Sequence, residues 1–328
     1  MSAILCGVGG YVPGSVTTNA DLAERLDTTD EWIRSRTGIR QRYVVALGES
    51  TSDLAVRAGA AALKSAGVDS VDLVVLATTT PDHPCPATAP AVARALGLDR
   101  VAAFDLGAVC SGFVYGLATV AGFLETGLAE RVLLIGADTF STIVDPTDRS
   151  TVSVFGDGAG AVVLRRGSSD EPGALLAFDL GSDGDLTELI TVRAGGSKYP
   201  LSVGQVATEK HRFDMQGKAV YRQATRWMTA SANSVLARLG WQPDDLDCFV
   251  GHQANQRILE TVGRDLGVAP ERVFVNVDRV GNTVAASIPL ALADASAAGV
   301  LAPGHKVLLT AFGGGTTWGS VALTWPEL

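Results

Sequence analysis

Segments of this chain recur in order. VDLVVLAT (71–78) returns as LDCFV (246–250), LGLDRVAAFDLGAVCSG (96–112) as LGVAPERVFVNVDRVGNTV (266–284), and ERVLLIGAD (130–138) as HKVLLTAFG (305–313). The three offsets all fall near about 170 to 175 residues, and FGDGAGAVVL (155–164) has a counterpart in FGGGTTWGSVAL (312–323). One echo is chance; several in the same order indicate a duplicated unit. Within each unit, short apolar runs such as DLVVLAT and RVLLIGA alternate with Ala-rich helical patterns such as TSDLAVRAGAAALKSAG and RQATRWMTASANSVLARLG. Continuous Val/Leu/Ile runs suit strands buried on both faces, and each of these helices closes on a glycine, a C-cap signal. The alternation predicts an α/β protein with parallel sheets and helices on both sides. Two duplicated halves, 1–167 and 168–328, then stack as α/β/α/β/α layers. The turn-rich stretch RGSSDEPG near residues 166–175 marks the boundary.

Composition narrows the function classes. The 328 residues are 47% hydrophobic and 19% charged, with a net charge of −9. A nucleic-acid-binding chain needs a basic face, so that class is set aside. No apolar run reaches the roughly 18 to 20 residues that span a bilayer. The opening MSAILCGVGGYVPG lacks a basic leader and reads as a first buried strand, so a cytoplasmic protein is expected. Cys6, Cys85, Cys110 and Cys248 show no paired spacing and the four histidines are dispersed. Neither a disulfide framework nor a metal site is expected.

The chemistry concentrates in FDLGAVCSGFVYGL (104–117). FDL ends a predicted strand and SGFVYGLATVAGFLETG opens a predicted helix, which places Cys110 at the turn between them. A helix N-terminus favours a thiolate, so a lowered thiol pKa is expected there. Gly107 and Gly112 permit a tight turn and close approach of a substrate. A small buried cysteine is the structural alternative. Two further segments add weight. GHQANQRIL (251–259) puts His252, with Gln253 and Asn255, at a strand end, where α/β sites collect. VGNTVAASIPLAL (280–292) puts Asn282 at a helix start, at the repeat's counterpart of Cys110; an ordinary N-cap is the alternative. In AFGGGTTWGS (311–320) three glycines after a strand offer bare backbone N–H groups for an oxyanion hole. They lack the Lys-Ser or Lys-Thr of a phosphate loop.

VCSGF, GHQAN, GNTVAAS and FGGGTTWGS, in this order and spacing, resemble the thiolase-fold ketoacyl synthases, and most nearly the β-ketoacyl-acyl-carrier-protein synthase III family. The resemblance runs from TTNADLAERLDTTDEWIRSRTGIRQR (17–42) to the last strand. It implies a five-layered thiolase-like fold and a Cys110–His252–Asn282 triad. It also implies decarboxylative condensation of an acyl-CoA primer with malonyl-acyl-carrier protein through an acyl-cysteine, to start fatty-acid or polyketide synthesis. By the same resemblance the N–H groups of Cys110 and Gly314 form an oxyanion hole. Thr28, Trp32, Arg36, Arg149, Gly217, Tyr221 and Asn255 would meet the CoA arm, with Trp32 against adenine and Arg36 and Arg149 against phosphates.

The implied partners are acyl-CoA and an acyl-carrier protein, with no resident cofactor, and the expected assembly is a homodimer. A carrier protein is acidic, so an acidic enzyme needs a local basic patch. Lys218, Arg222 and Arg226 repeat every four residues and Arg257 follows His252 closely, although most such stripes are only solvated faces. Cys85 and Thr316 stand where relatives carry large aromatics, which predicts a roomier acyl pocket and a primer longer or more branched than acetyl. A Cys-His pair also fits a thiol hydrolase. An acyltransferase to an oxygen, nitrogen or sulfur acceptor and a non-catalytic partner subunit remain as alternatives.

Overall fold

The computed structural model describes residues 2–200 and 209–328. Its larger sheet has five strands in the order Ser2–Tyr11, Gly158–Gly167, Arg131–Asp138, Leu73–Ala77, Ala102–Leu106. The smaller has four, in the order Leu175–Ser182, Thr317–Thr324, Lys306–Gly313, Cys248–Gly251. In each sheet the first two pairings are antiparallel and the next is parallel. The fifth place of the second sheet is held by a single parallel bridge, Phe249 to Val273, where the first sheet has a full strand. The topology therefore repeats strand for strand, as the sequence echoes predict. The sheets are mixed, however, and not parallel as expected. The strands Gly158–Gly167 and Thr317–Thr324 return as antiparallel partners, and their apolar residues read like those of parallel strands because both faces are covered.

The layers follow from which faces are apolar. Helices Gly112–Glu125 and Ser287–Ala297 lie between the two sheets, and residues from both sheets join them in one core that includes Phe113, Leu117, Val250 and Leu309. Helix Thr51–Ala66 covers the outside of the first sheet, and helices Gly217–Leu239 and Gln256–Leu266 cover the outside of the second. The result is the expected α/β/α/β/α stack. Local chemistry fixes the helix ends. Ser50 and Asp53 form a capping box at the start of Thr51–Ala66, and Gly67 ends it at φ 64°. Gly240, at φ 67°, ends Gly217–Leu239 in the same way. Among the described residues no helix is long and apolar enough to cross a membrane, and no group of three or more His, Cys, Asp and Glu side chains could hold a metal ion.

Candidate active site

Both central helices are entered through the same device. Val109, at φ 47°, starts the 3-10 turn Val109–Ser111 that runs into Gly112–Glu125. Val284, at φ 53°, starts the turn Val284–Ala286 that runs into Ser287–Ala297. A β-branched residue in the left-handed region is strained, and it persists only where its surroundings over-determine it. This match corrects the sequence reading. The counterpart of Cys110 is Ala285, and Asn282 lies three residues earlier, outside any helix. Asn282 is held by its backbone instead: its N–H donates to the Val154 carbonyl at 2.9 Å and its own carbonyl accepts from Gly156 N–H at 3.0 Å.

The two turns meet over Asp138, which is fully buried at the end of its strand. One carboxylate oxygen, Oδ1, accepts from the N–H groups of Thr79 and Thr80 and from the Thr78 and Thr80 hydroxyls. The other, Oδ2, accepts from Ala285 N–H at 3.0 Å, so one side chain ties the strand of the first sheet to the turn that enters the second central helix. Burial pushes its acid up to about 7 despite these donors. Gly136, one turn of strand away, packs against the Ala285 carbonyl so closely that a Cβ would collide with it.

Cys110, His252 and Asn282 line one chamber of about 40 Å³, walled by Phe140, Phe155, Phe213 and Phe312. Three of these rings, Phe140, Phe155 and Phe213, form a mutual cluster with centroids 4.6 to 5.0 Å apart. The thiol answers to its surroundings in a way the sequence did not suggest. Burial and then the Asp138 charge push it up to about 12, outweighing the N–H groups of Cys110 itself and of Gly314, which both bear on the sulfur. Cys110 is therefore a resting thiol, and the expected lowering by the helix terminus is overturned. One of the two N–H groups, that of Gly314, belongs to the glycine run singled out from sequence. Gly313 backs this arrangement: a Cβ there would stand 2.9 Å from the amide nitrogens of both Cys110 and Ser111. Ser111 Oγ lies 2.5 Å from Thr317 Oγ1, locking the nucleophile turn to the glycine loop.

His252 is 2% exposed, and burial drives its pKa down to about 3, so the ring is neutral at physiological pH. Its backbone N–H donates to the Thr310 carbonyl at 2.8 Å and its ring Nδ1 sits 2.5 Å from Ser287 Oγ. In Asn282 the side-chain Oδ1 accepts from Val284 N–H at 3.0 Å, which leaves the Nδ2 hydrogens for the chamber. Gln253, grouped with these residues from sequence, is a structural pin. It joins Gly251 and Phe274 carbonyls to Asn276 and Val277 N–H groups.

The depressed histidine has a stability consequence. The unfolded chain takes up a proton near 6.5 whereas the folded chain does so only near 3. Between those values the unfolded state binds more protons, so this residue makes the fold lose stability as pH falls from 6.5 toward 3. We expect urea unfolding to show wild type losing roughly 2 to 3 kcal/mol relative to His252→Asn between pH 7 and pH 4.5. A difference that stays constant with pH would show that the ring titrates normally.

The chamber opens into a channel of about 730 Å³ with which it shares Met215, Val220, Ala254, Ile258 and Asn282. Trp32, Arg36, Gly217, Lys218, Tyr221, Arg222, Asn255 and Arg257 line this channel, so most of the residues expected at the substrate arm and docking face gather on one path. Arg36 and Arg149 lie over the Trp32 ring at 4.5 and 5.0 Å, and Arg149 also bonds the Asp27 carbonyl and carboxylate. Asn255 caps helix Gln256–Leu266 and donates to the Arg36 carbonyl at 3.0 Å. Thr28 keeps a buried hydroxyl that has no partner among the described residues.

One expectation at this site changes, and three further positions are placed by the structure. The Tyr221 hydroxyl, expected to reach the substrate arm, pairs with Thr261 Oγ1 at 2.8 Å. Arg226 lies outside the channel, its guanidinium 4.8 Å over Trp227. Cys85 is exposed and Thr316 is buried beside the glycine loop, and neither is among the residues of the single chain that border the chamber. Ser111, Asp138, Ser287 and Thr317 were not singled out from sequence. Each acts through a partner distant along the chain, and the only available signal was their adjacency to the turn motifs.

Comparison with known proteins agrees with this geometry. A family model described as 3-oxoacyl-[acyl-carrier-protein] synthase III matches residues 104–184, which include Cys110. Its C-terminal companion matches 236–325, which include His252 and Asn282. A Streptomyces coelicolor protein, "Beta-ketoacyl-[acyl-carrier-protein] synthase III 5", is 58% identical over 327 residues, covering 100% of this chain and 98% of the relative. The crystal structure of 3-oxoacyl-(acyl carrier protein) synthase III from Pseudomonas aeruginosa PAO1 superposes with a TM-score of 0.93 at 53% identity, covering 100% and 99% of the two chains. The priming β-ketosynthase from the R1128 polyketide biosynthetic pathway superposes with a TM-score of 0.91 at 33% identity over 99% and 97%.

Proposed function

The chain belongs to the β-ketoacyl-acyl-carrier-protein synthase III family, and from that membership we propose how its own residues carry the reaction. The enzyme is an acyltransferase that condenses an acyl-CoA with malonyl-acyl-carrier protein at the start of fatty-acid synthesis. The observation that carries the residue assignment is the meeting of Cys110, His252 and Asn282 in one apolar chamber at the end of a channel with a basic mouth.

In the first half-reaction the Cys110 sulfur bonds to the acyl carbon and the carbon–sulfur bond to CoA breaks. The thiol hydrogen leaves with the CoA thiol, so no proton is stored. The N–H groups of Cys110 and Gly314 receive the oxyanion of the tetrahedral intermediate. In the second, malonyl-acyl-carrier protein loses carbon dioxide. The electron pair moves into an enolate whose oxygen accepts hydrogen bonds from His252 and the Asn282 carboxamide. The enolate carbon attacks the acyl-cysteine, the carbon–sulfur bond breaks, and the cysteine sulfur regains one proton from solvent. Apolar walls keep water from the acyl-enzyme, which separates condensation from hydrolysis.

CoA and the carrier-protein arm use the same channel. Trp32 offers an indole face to adenine once a guanidinium lifts from it. Arg36 and Arg149 meet phosphates, while Thr28, Gly217, Tyr221 and Asn255 flank the arm. Lys218, Arg222 and Arg257 at the mouth, with Arg226 beside them, give the acidic carrier protein a local basic face on a chain of net charge −9. A chamber of about 40 Å³ walled by phenylalanines supports a short primer, against the longer or more branched one expected from Cys85 and Thr316, and the primer assay below decides between them. The remaining parts of the proposal are two halves divided at 167/168, a homodimer and a cytoplasmic location.

The test is a product assay: acyl-CoA primers of increasing length with malonyl-acyl-carrier protein, read for carbon dioxide and for β-ketoacyl-acyl-carrier protein. Carbon dioxide with a β-keto product, fastest for short primers, is expected. Acyl transfer without carbon dioxide from any primer contradicts the assignment.

A further inference from the structure

We infer that Ser287 is a positioning residue that fixes His252 as the Nε2–H tautomer, and so as a hydrogen-bond donor into the chamber. The inference rests on the condensing role proposed above for what the donor does there, but the tautomer itself follows from hydrogen-bond accounting. Ser287 is 1% exposed at the start of the second central helix. Its Oγ has two partners among the described residues: Gln253 N–H at 3.3 Å and His252 Nδ1 at 2.5 Å. The amide can only donate, so it occupies one lone pair of Oγ. The hydroxyl hydrogen then needs an acceptor, and Nδ1 is the group in reach that can be one.

The opposite tautomer fails this accounting. With hydrogen on Nδ1, Oγ would accept twice and a buried O–H would point at no acceptor, an arrangement that natural interiors avoid. The chain of bonds therefore runs from Gln253 N–H to Ser287 Oγ, and from the Ser287 hydroxyl to His252 Nδ1. Nε2 keeps its hydrogen on the ring edge that lines the chamber.

Two consequences follow. His252 cannot take the Cys110 proton through Nε2 without becoming a cation in a site that burial already makes hostile to one. Its work lies at the thioester oxygen of the second half-reaction. Ser287 also belongs to the central helix whose preceding turn is held by Asp138 and whose Asn282 supplies the other donor. One helix entrance thus sets both donors that face the enolate oxygen.

Long-range proton–nitrogen correlation spectra of the protein labelled with ¹⁵N-histidine read the tautomer directly. A His252→Asn sample identifies the His252 signals among those of the four histidines. Wild type is expected to show a protonated Nε2 and an unprotonated Nδ1 at pH 7. Ser287→Ala is expected to raise the Nδ1–H fraction and slow condensation about 10-fold, leaving acylation of Cys110 by acyl-CoA within about 2-fold, and Ser287→Thr to restore both. A wild-type spectrum with the hydrogen on Nδ1 overturns the inference whatever the variants do. So does Ser287→Ala with tautomer and condensation both unchanged. A protein with Nε2–H that forms no β-keto product overturns the functional reading while the tautomer assignment stands.

Discussion

Cys110→Ala is expected to abolish acylation by acyl-CoA and to lower β-ketoacyl formation by at least about 10⁴-fold, the scale on which removal of a covalent nucleophile is felt. The thermal midpoint should move little, because the change deletes one sulfur beside an open chamber and leaves the turn that carries it intact. That turn is held from elsewhere, by Ser111 against Thr317 and by Gly313 packed on the amide nitrogens. His252 and Asn282 also keep their hydrogen bonds in the variant. Slow release of carbon dioxide from malonyl-acyl-carrier protein should therefore persist with no primer attached. A variant that still carries an acyl group on any other residue and turns over would remove Cys110 from the centre of the account. Intact-protein mass after incubation with primer, together with the unfolding midpoint, decides it.

The second large effect is a separation of the two half-reactions. His252→Ala and Asn282→Ala should each slow condensation by about 10² to 10³-fold, the usual cost of one oxyanion donor, or roughly 3 to 4 kcal/mol of barrier. Acylation should stay within a few-fold of wild type in both. The reason lies in which oxyanion each group serves. The amide N–H groups of Cys110 and Gly314 bear on the sulfur and in the proposed mechanism receive the acyl oxyanion, whereas the imidazole and carboxamide are proposed to serve the thioester that loses carbon dioxide. Rapid-quench measurement of acyl-cysteine formation beside steady-state condensation resolves the two. Equal loss of both steps in His252→Ala would mean that the ring takes the cysteine proton, contrary to its neutral, Ser287-bonded state.

Much of the fold was legible because duplication leaves a record that composition alone does not. The apolar runs at 71–78 and 130–138 and their echoes at 246–250 and 305–313 became neighbouring parallel strands of two sheets built to one plan. Their direction relative to Gly158–Gly167 was not legible, since a strand covered on both faces reads the same in either sense. That Cys110, His252 and Asn282 belong to one site was legible from their motifs. Its electrostatics were not, because the Cys110 thiol is governed first by burial and then by the charge of Asp138, which lies on another strand, and both arise only through folding. The match of Asn282 to Cys110 failed for a local reason: the echoed segments align through sequence, but the structural equivalence follows the two left-handed valines at 109 and 284. The walls that the single chain gives the chamber, Phe140, Phe155 and Phe213, were not legible either. These phenylalanines come from three separate segments.

The most direct test follows one sulfur through a full cycle. The protein is incubated with a short acyl-CoA, and the peptide containing Cys110 is weighed before and after malonyl-acyl-carrier protein is added, with carbon dioxide counted in parallel. The expected result is an acyl adduct on that peptide alone, discharged with one carbon dioxide per β-ketoacyl product. An adduct on a different residue, or an adduct released as free acid without carbon dioxide, would contradict it.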